Sequence, residues 1–314
     1  MKILVTGCAG FIGANFVEYL LDNYPDDEII GVDCLTYAAN ETALSSLKNR
    51  QNFTFYYNNI CDRAAMDSIF ATERPEIVVN FAAESHVDRS IEGSAVFLET
   101  NVVGVGVLLD MSKKYSVKRF HQISTDEVYG DVELDSDIKY TEDSPLDPSS
   151  PYSSSKAAAD LLALSYMKTH GLQVSISRSS NNYGKYQHKE KLIPMAIEKI
   201  LSDSPVTIYG DGKNMRDWLY VMDNCFAIDR IIRAGECGIY NIGADNQWAN
   251  IELVKKIMTL LGNPNAELEF VEDRKGHDRK YSISSEKIKK LGWKPSAEFD
   301  RELESTVEWY KDNK

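Results

Sequence analysis

Met1-Lys2-Ile3-Leu4-Val5-Thr6-Gly7-Cys8-Ala9-Gly10-Phe11-Ile12-Gly13 is the stretch that decides the fold. An aliphatic run at 3–6 ends in three glycines at every third position, and a helical pattern begins at Phe11, so the segment reads as strand, tight turn and helix. Gly7 and Gly10 let the backbone turn sharply and approach a pyrophosphate. Gly13 lets helix and strand pack closely, and the helix start at Phe11 and Ile12 meets the anion.

Asp33 closes the next β-branched run about 20 residues on, where a carboxylate accepts hydrogen bonds from the adenosine ribose and repels a 2′-phosphate. Turn and carboxylate together indicate NAD in preference to NADP. Asn59 and Ile60, after the third run, border the expected adenine pocket. Ala82 and Ala83, after the fourth, let the backbone come close to the cofactor.

Short β-branched runs at 3–6, 29–33, 53–57, 77–81, 119–124 and 174–177 alternate with helical patterns at 11–23, 63–73, 94–115, 153–170 and 192–201. Strands separated by helix-length segments form parallel βαβ units. The expected fold class is α/β, a doubly wound parallel Rossmann sheet with a smaller α/β C-terminal substrate lobe. Residues 1–177 are assigned to the NAD-binding domain, with a segment near 216–240 returning towards the sheet. Residues 178–314 form the second lobe, with helices expected at 251–261, 284–291 and 299–310.

A formal net charge of −13 argues against nucleic acid as the main partner, because phosphate neutralisation needs a basic face. No run approaches about 18 uninterrupted apolar residues, and the first strand stands where a signal peptide would, so no membrane partner and a cytoplasmic location are expected. Cys8, Cys34, Cys61, Cys225 and Cys237 have neither metal-ligand nor disulfide spacing, and no metal is expected.

Tyr152-Ser153-Ser154-Ser155-Lys156 sets a phenol and an ammonium one helical turn apart. The ammonium favours the phenolate, which can remove a hydroxyl proton while hydride leaves the same carbon. The glycine turn, Asp33, Ser124 and Tyr-x-x-x-Lys together resemble the extended short-chain dehydrogenase/reductase family. That resemblance implies Ser124, Tyr152 and Lys156 beside the cofactor and a nucleotide sugar in the second lobe. It also implies a homodimer joined by a four-helix bundle from the helices near 94–115 and 153–170.

Ser124-Thr125-Asp126-Glu127-Val128-Tyr129-Gly130 resembles the nucleotide-sugar 4,6-dehydratases of that family, particularly those acting on dTDP-glucose. Adjacent carboxyls suit the chemistry. Once hydride has left C4, the ketone acidifies C5–H, so one carboxylate takes that proton while its neighbour protonates the departing C6 hydroxyl. By match to the family, Glu127 is the C5 base, Asp126 the C6 acid, and Thr125 a hydrogen-bonding group near the C4 hydroxyl. Tyr152 takes the C4 hydroxyl proton, Lys156 assists it, and hydride returns to C6.

The resemblance extends over nearly the whole chain. It puts Ser85 and His86 at the hexose, Asn181 between sugar and nicotinamide, and Lys191, Arg216, Asn246 and Arg274 at the nucleoside diphosphate. Glu190, Leu192, Thr207, Tyr209, His277 and Tyr281 complete the substrate set. His86 equally fits a helix cap, Arg216 a partner for Asp217 or Asp223, and Tyr209 and Tyr281 packing roles. Lys185-Tyr186-Gln187-His188-Lys189, Thr207 and Ala244-Asp245-Asn246 depart from the family's usual residues and leave the nucleotide open.

The expected reaction converts an NDP-hexose to NDP-4-keto-6-deoxyhexose and water. dTDP-glucose comes first as substrate, with UDP-, CDP- or GDP-linked hexoses or N-acetylhexosamines as alternatives. A nucleotide-sugar 4-epimerase, which needs no carboxyl pair, and a non-catalytic NAD-binding scaffold are the other readings.

Overall fold

The computed structural model describes residues 1–313; Lys314, the last residue of the assigned second lobe, lies outside the described residues. In the first half, strands β1 (Lys2–Thr6), β2 (Glu28–Asp33), β3 (Phe53–Tyr57), β4 (Ile77–Asn80), β5 (Arg119–Thr125) and β6 (Val174–Ser179) alternate with helices. These helices are α1 (Phe11–Asn23), α2 (Glu41–Lys48), α3 (Arg63–Glu73), α4 (Val87–Glu92), α5 (Ala95–Leu98), α6 (Val105–Lys114) and α7 (Pro151–His170). The second half runs β7 (Asn181–Tyr183), α8 (Leu192–Leu201), β8 (Val206–Tyr209), β9 (Met215–Tyr220), α9 (Val221–Ala234) and β10 (Gly238–Ile242). It ends with β11 (Gln247–Ala249), α10 (Asn250–Leu260), β12 (Leu268–Val271), α11 (Glu286–Lys289) and α12 (Phe299–Asp312).

Seven strands form one sheet in the order β10-β6-β5-β4-β1-β2-β3, every pairing parallel. Side chains alternate across the sheet, and helices cover both faces. Ile3 and Val5 pack with Phe16 and Leu20 of α1 and Ile228 and Ile231 of α9. Leu4, Val78 and Phe120 point the other way, onto Phe70 of α3, Leu108 of α6 and Ala159 of α7. The strand order reverses between β1 and β4, which opens a crevice at their carboxyl ends.

The pattern at 94–115 predicts one helix, but the chain forms α5, a π-helical segment at Glu99–Gly104, and then α6. Buried Asn101 lies in the wide turn. Its side chain accepts from Glu84 N at 2.9 Å and donates to Glu84 O at 3.0 Å and Ser155 Oγ at 2.8 Å. These bonds tie the segment to the loop after β4 and to α7, partners that helical periodicity does not record. The pattern at 284–291 gives only the short α11.

The 216–240 region divides. β9 joins β7 and β11 in a separate three-stranded sheet, while α9 packs against the main sheet and β10 pairs with β6. The apolar spacing after 221 therefore belongs to the buried face of a helix. The strand that joins the main sheet is 238–242. Beyond it, β8 and β12 pair in parallel, and α8, α10 and α12 enclose a third core containing Ile197, Trp218, Ile257 and Leu303.

Candidate active site

At the crevice, Gly7 has φ +65°, and a Cβ on it would stand 2.6 Å from Ala82 N; a Cβ on Gly13 would stand 2.1 Å from Gly7 O. Neither position admits a side chain. α1 starts after Gly10 with no side-chain cap and no acidic residue in its first turn, leaving N–H groups available to an anion. The Asp33 carboxylate accepts the N–H groups of Ala9 at 2.9 Å and Leu35 at 2.8 Å. Burial raises its pKa, and these backbone bonds oppose the rise. Gly7, Asp33, Asn59, Ile60, Ala82 and Ala83 line a cavity of about 180 Å³. A cradle that a Cβ would fill, with a carboxylate at one end, fits the pyrophosphate and ribose of NAD.

An adjoining cavity of about 260 Å³ joins Gly10, Phe11, Ile12 and Gly13 to Ser124, Thr125, Asp126 and Glu127 at the end of β5. Tyr152, Lys156 and Asn181 close it. α7 opens with a capping box between Ser150 and Ser153 and with Pro151 in its first turn, so Tyr152 and Lys156 enter at a fixed helical phase on its buried face. Lys156 Nζ donates to Ile123 O at 2.6 Å.

Tyr152 and Lys156 stand one helical turn apart on the buried face of α7. Burial raises Tyr152 far above the ordinary phenol range, and Glu127 and Asp126 add to the rise; the Thr125 hydroxyl opposes it. Burial also pulls Lys156 down to about 8.

The two acids differ in surroundings. Asp126 is pushed well up by burial, then by the negative charges of Glu127 and Asp217. Its Oδ1 accepts from Thr125 Oγ1 at 3.3 Å, and its Oδ2 is buried without a partner. Burial raises Glu127 too, but the cations Arg216, Lys191 and Arg274 act against the rise. Both carboxyls are shifted upward, Asp126 the more strongly, and the cations beside Glu127 hold its rise back further than the surroundings of Asp126 do.

A third cavity, of about 320 Å³, shares Ser85, Glu127, Asn181, Glu190 and Lys191 with the second. His86, Leu192, Thr207 and Tyr209 line it, as do Arg216, Arg274, His277 and Tyr281. His86 stands at the N-terminus of α4 but makes no capping bond. Its Nε2 lies 3.3 Å from Glu190 Oε2, and its Nδ1 is buried without a partner.

Arg216 pairs with neither Asp217 nor Asp223. It donates to Met215 O at 2.7 Å and Asp278 O at 2.9 Å, and lies 4.4 Å from the centre of the Tyr281 ring. Tyr281 is thus both packed and part of the cavity wall. Lys191 Nζ donates to Ser85 O at 3.0 Å, and Arg274 lies 5.0 Å from the centre of the Tyr209 ring.

Asn246 stands outside these three cavities. Its amide donates to Trp218 O at 3.2 Å and accepts from Trp248 Nε1 at 2.9 Å, so it fastens the β9–β11 pair instead. Asn250, four residues further on at the start of α10, takes the place in the wall with a buried, unpartnered Oδ1. Trp218 and Gln187 are further wall residues that the sequence did not assign to the site, each with a buried polar atom lacking a partner. The strand-to-helix junction was the available signal at Asn250, and the departure from the family's usual residues at 185–189 was the signal at Gln187.

A family model for GDP-mannose 4,6 dehydratase matches residues 4–306. The chain belongs to this family. Among its members, the low-salt glycan biosynthesis protein Agl12 of Haloferax volcanii is 48% identical over 311 residues, 99% of this chain and 98% of that protein. The dTDP-glucose 4,6-dehydratase of Haemophilus influenzae is 46% identical, with 99% of this chain and 98% of that protein covered. The crystal structure of the dTDP-glucose 4,6-dehydratase DesIV from Streptomyces venezuelae, with NAD and TYD bound, matches with a TM-score of 0.96 at 43% identity. That match covers 100% of this chain and 98% of DesIV.

Proposed function

We propose that the protein is an NAD-dependent nucleotide-sugar 4,6-dehydratase, a hydro-lyase that converts an NDP-hexose, dTDP-glucose first, to NDP-4-keto-6-deoxyhexose and water. The observation that carries this is the adjacent carboxyls of Asp126 and Glu127, beside Tyr152 and Lys156, with Glu127 in the wall of both the second and third cavities. The relatives' names support it.

When bound, NAD supplies the acceptor for the C4 hydride and gives the hydride back at C6. Tyr152 takes the C4 hydroxyl proton, with Thr125 hydrogen-bonding nearby. Glu127 takes the C5 proton, Asp126 gives its own to the C6 hydroxyl, which leaves as water, and Glu127 gives a proton back to C5 as hydride reaches C6. Ser85, His86 and Asn181 orient the hexose. Lys191, Arg216 and Arg274 hold the diphosphate, with Asn250 at the nucleoside end.

Residues 1–177, rejoined by 221–242, hold the cofactor and supply the groups at the hexose, and the remainder holds the nucleoside diphosphate. The second copy of a homodimer covers the outer faces of α5, the π segment and α7, where Val96, Leu98, Val103 and Leu161 are 47%, 50%, 57% and 59% exposed. The same contact explains why Ala95–Lys114 has a mean hydropathy of 1.5 while only half of it is buried in one subunit. A cytoplasmic location belongs to this reading.

Incubation with a panel of dTDP-, UDP-, CDP- and GDP-hexoses, followed by mass spectrometry, tests the proposal. Loss of one water from at least one sugar is expected. Conversion at unchanged mass would make the protein an epimerase, and no turnover of any sugar would favour a scaffold.

A further inference from the structure

One turn beyond Lys156, the buried face of α7 carries Asp160, fully withdrawn from solvent. Its Oδ2 accepts from Ser124 Oγ at 2.9 Å and from Arg178 Nε at 2.9 Å. Ser124 and Arg178 are register partners on β5 and β6, so one carboxylate pins the helix across two adjacent strands. The Arg178 guanidinium lies 4.7 Å from the centre of the Tyr129 ring, in the turn that bears Asp126 and Glu127. Tyr129 in turn donates to Asn241 Oδ1 of β10 at 2.8 Å. Asp160 Oδ1 is buried with no hydrogen-bond partner. A buried ion pair is weak support for stability, and an orphaned carboxylate oxygen makes it weaker still. Stability alone is a poor reason for Asp160.

Tyr152, Asp126 and Glu127 share a cavity wall with Lys156, and Asp160 follows it on the helix; burial raises Asp160 itself, and Arg178 on β6 opposes the rise. His121 lies on the opposite face of β5 from Ser124, bonded to Ser175 and Ser177. Among these groups, Asp160 is the one that favours the ammonium form of Lys156 against the effect of burial.

We propose that Asp160 is a positioning residue of the redox centre: its buried carboxyl, one helical turn from Lys156 and held by Ser124 and Arg178, fixes the Tyr152–Lys156 helix against the Asp126–Glu127 turn. Its kinetic consequence rests on the dehydratase reading. Its electrostatic consequence does not.

The test is an NMR titration of the NAD-loaded protein with ¹³C-labelled lysine, the Lys156 signal being identified by its loss in Lys156→Arg. A midpoint below the ordinary lysine range is expected for the parent protein. In Asp160→Asn it should fall by about one unit or more. The alkaline limb of kcat for dTDP-glucose should move down by the same amount, because deprotonation of Lys156 sets it, while KM holds. Should that variant fail to fold, Asp160→Asn with Arg178→Met removes both charges, leaves no uncompensated ion, and is expected to show the same fall. A folded variant that melts at a lower temperature while its Lys156 midpoint stays in place would overturn the proposal. A parent protein that turns over no nucleotide sugar would remove the dehydratase reading, while the titration still decides the role of Asp160.

Discussion

Asp126 and Glu127 are neighbours in sequence with different electrostatic surroundings. Asp126 meets the carboxylates of Glu127 and Asp217 with Arg216 against them, and Glu127 meets the cations Arg216, Lys191 and Arg274 with Asp278 against them. The roles separate in an exchange experiment in heavy water. Glu127→Gln should abolish both deuterium uptake at C5 and water loss. Asp126→Asn should keep the uptake and slow water loss by roughly 10²–10⁴-fold, the usual contribution of a positioned acid. If Asp126→Asn eliminates at the parental rate, or Glu127→Gln still exchanges C5, the assignment is wrong. Tyr152 and Lys156 were legible from their four-residue spacing, and Thr125-Asp126-Glu127 from family resemblance. The raised phenol was not legible, because burial is a tertiary quantity. Nor was the choice of Asn250 over Asn246, since two asparagines four residues apart on either side of β11 differ only in where a strand ends and a helix begins.

The strand, turn and helix at 2–23 form the element on which cofactor binding depends, and the turn has no slack. Gly13→Ala places a methyl 2.1 Å from Gly7 O, so the turn must open. Overpacking of this kind costs about 1–3 kcal/mol, and the loss should grow in the presence of NAD. Chemical denaturation with and without NAD checks this; equal stability and equal NAD stabilisation in the variant would contradict it. The Rossmann strands could be read from the sequence because both faces are covered and their runs are short and β-branched. The interruption of the 94–115 helix could not, because Asn101 answers to Glu84 and Ser155, distant in sequence. The small strands β7, β8, β11 and β12 were missed for a similar reason: each has only three or four residues and pairs with a partner from another part of the lobe.

At the scale of the whole molecule, the parallel sheet followed from alternating patterns, whereas the path of 216–240 did not, since apolar spacing marks a buried face without naming which sheet buries it. The exposed apolar face on α5 and α7 leads to a direct prediction. Leu98→Asp with Leu161→Asp should halve the mass measured by light scattering while the far-ultraviolet dichroism is unchanged; an unchanged mass would rule out this surface as the dimer contact. The central claim is that one site oxidises C4, expels the C6 hydroxyl and restores the same hydride to C6. The most direct measurement follows deuterium from dTDP-[4-²H]glucose by mass spectrometry and NMR. The account predicts a product that has lost one water and carries the deuterium in its C6 methyl group. A dehydrated product whose methyl lacks deuterium, or a sugar returned at unchanged mass with C4 inverted, would contradict it.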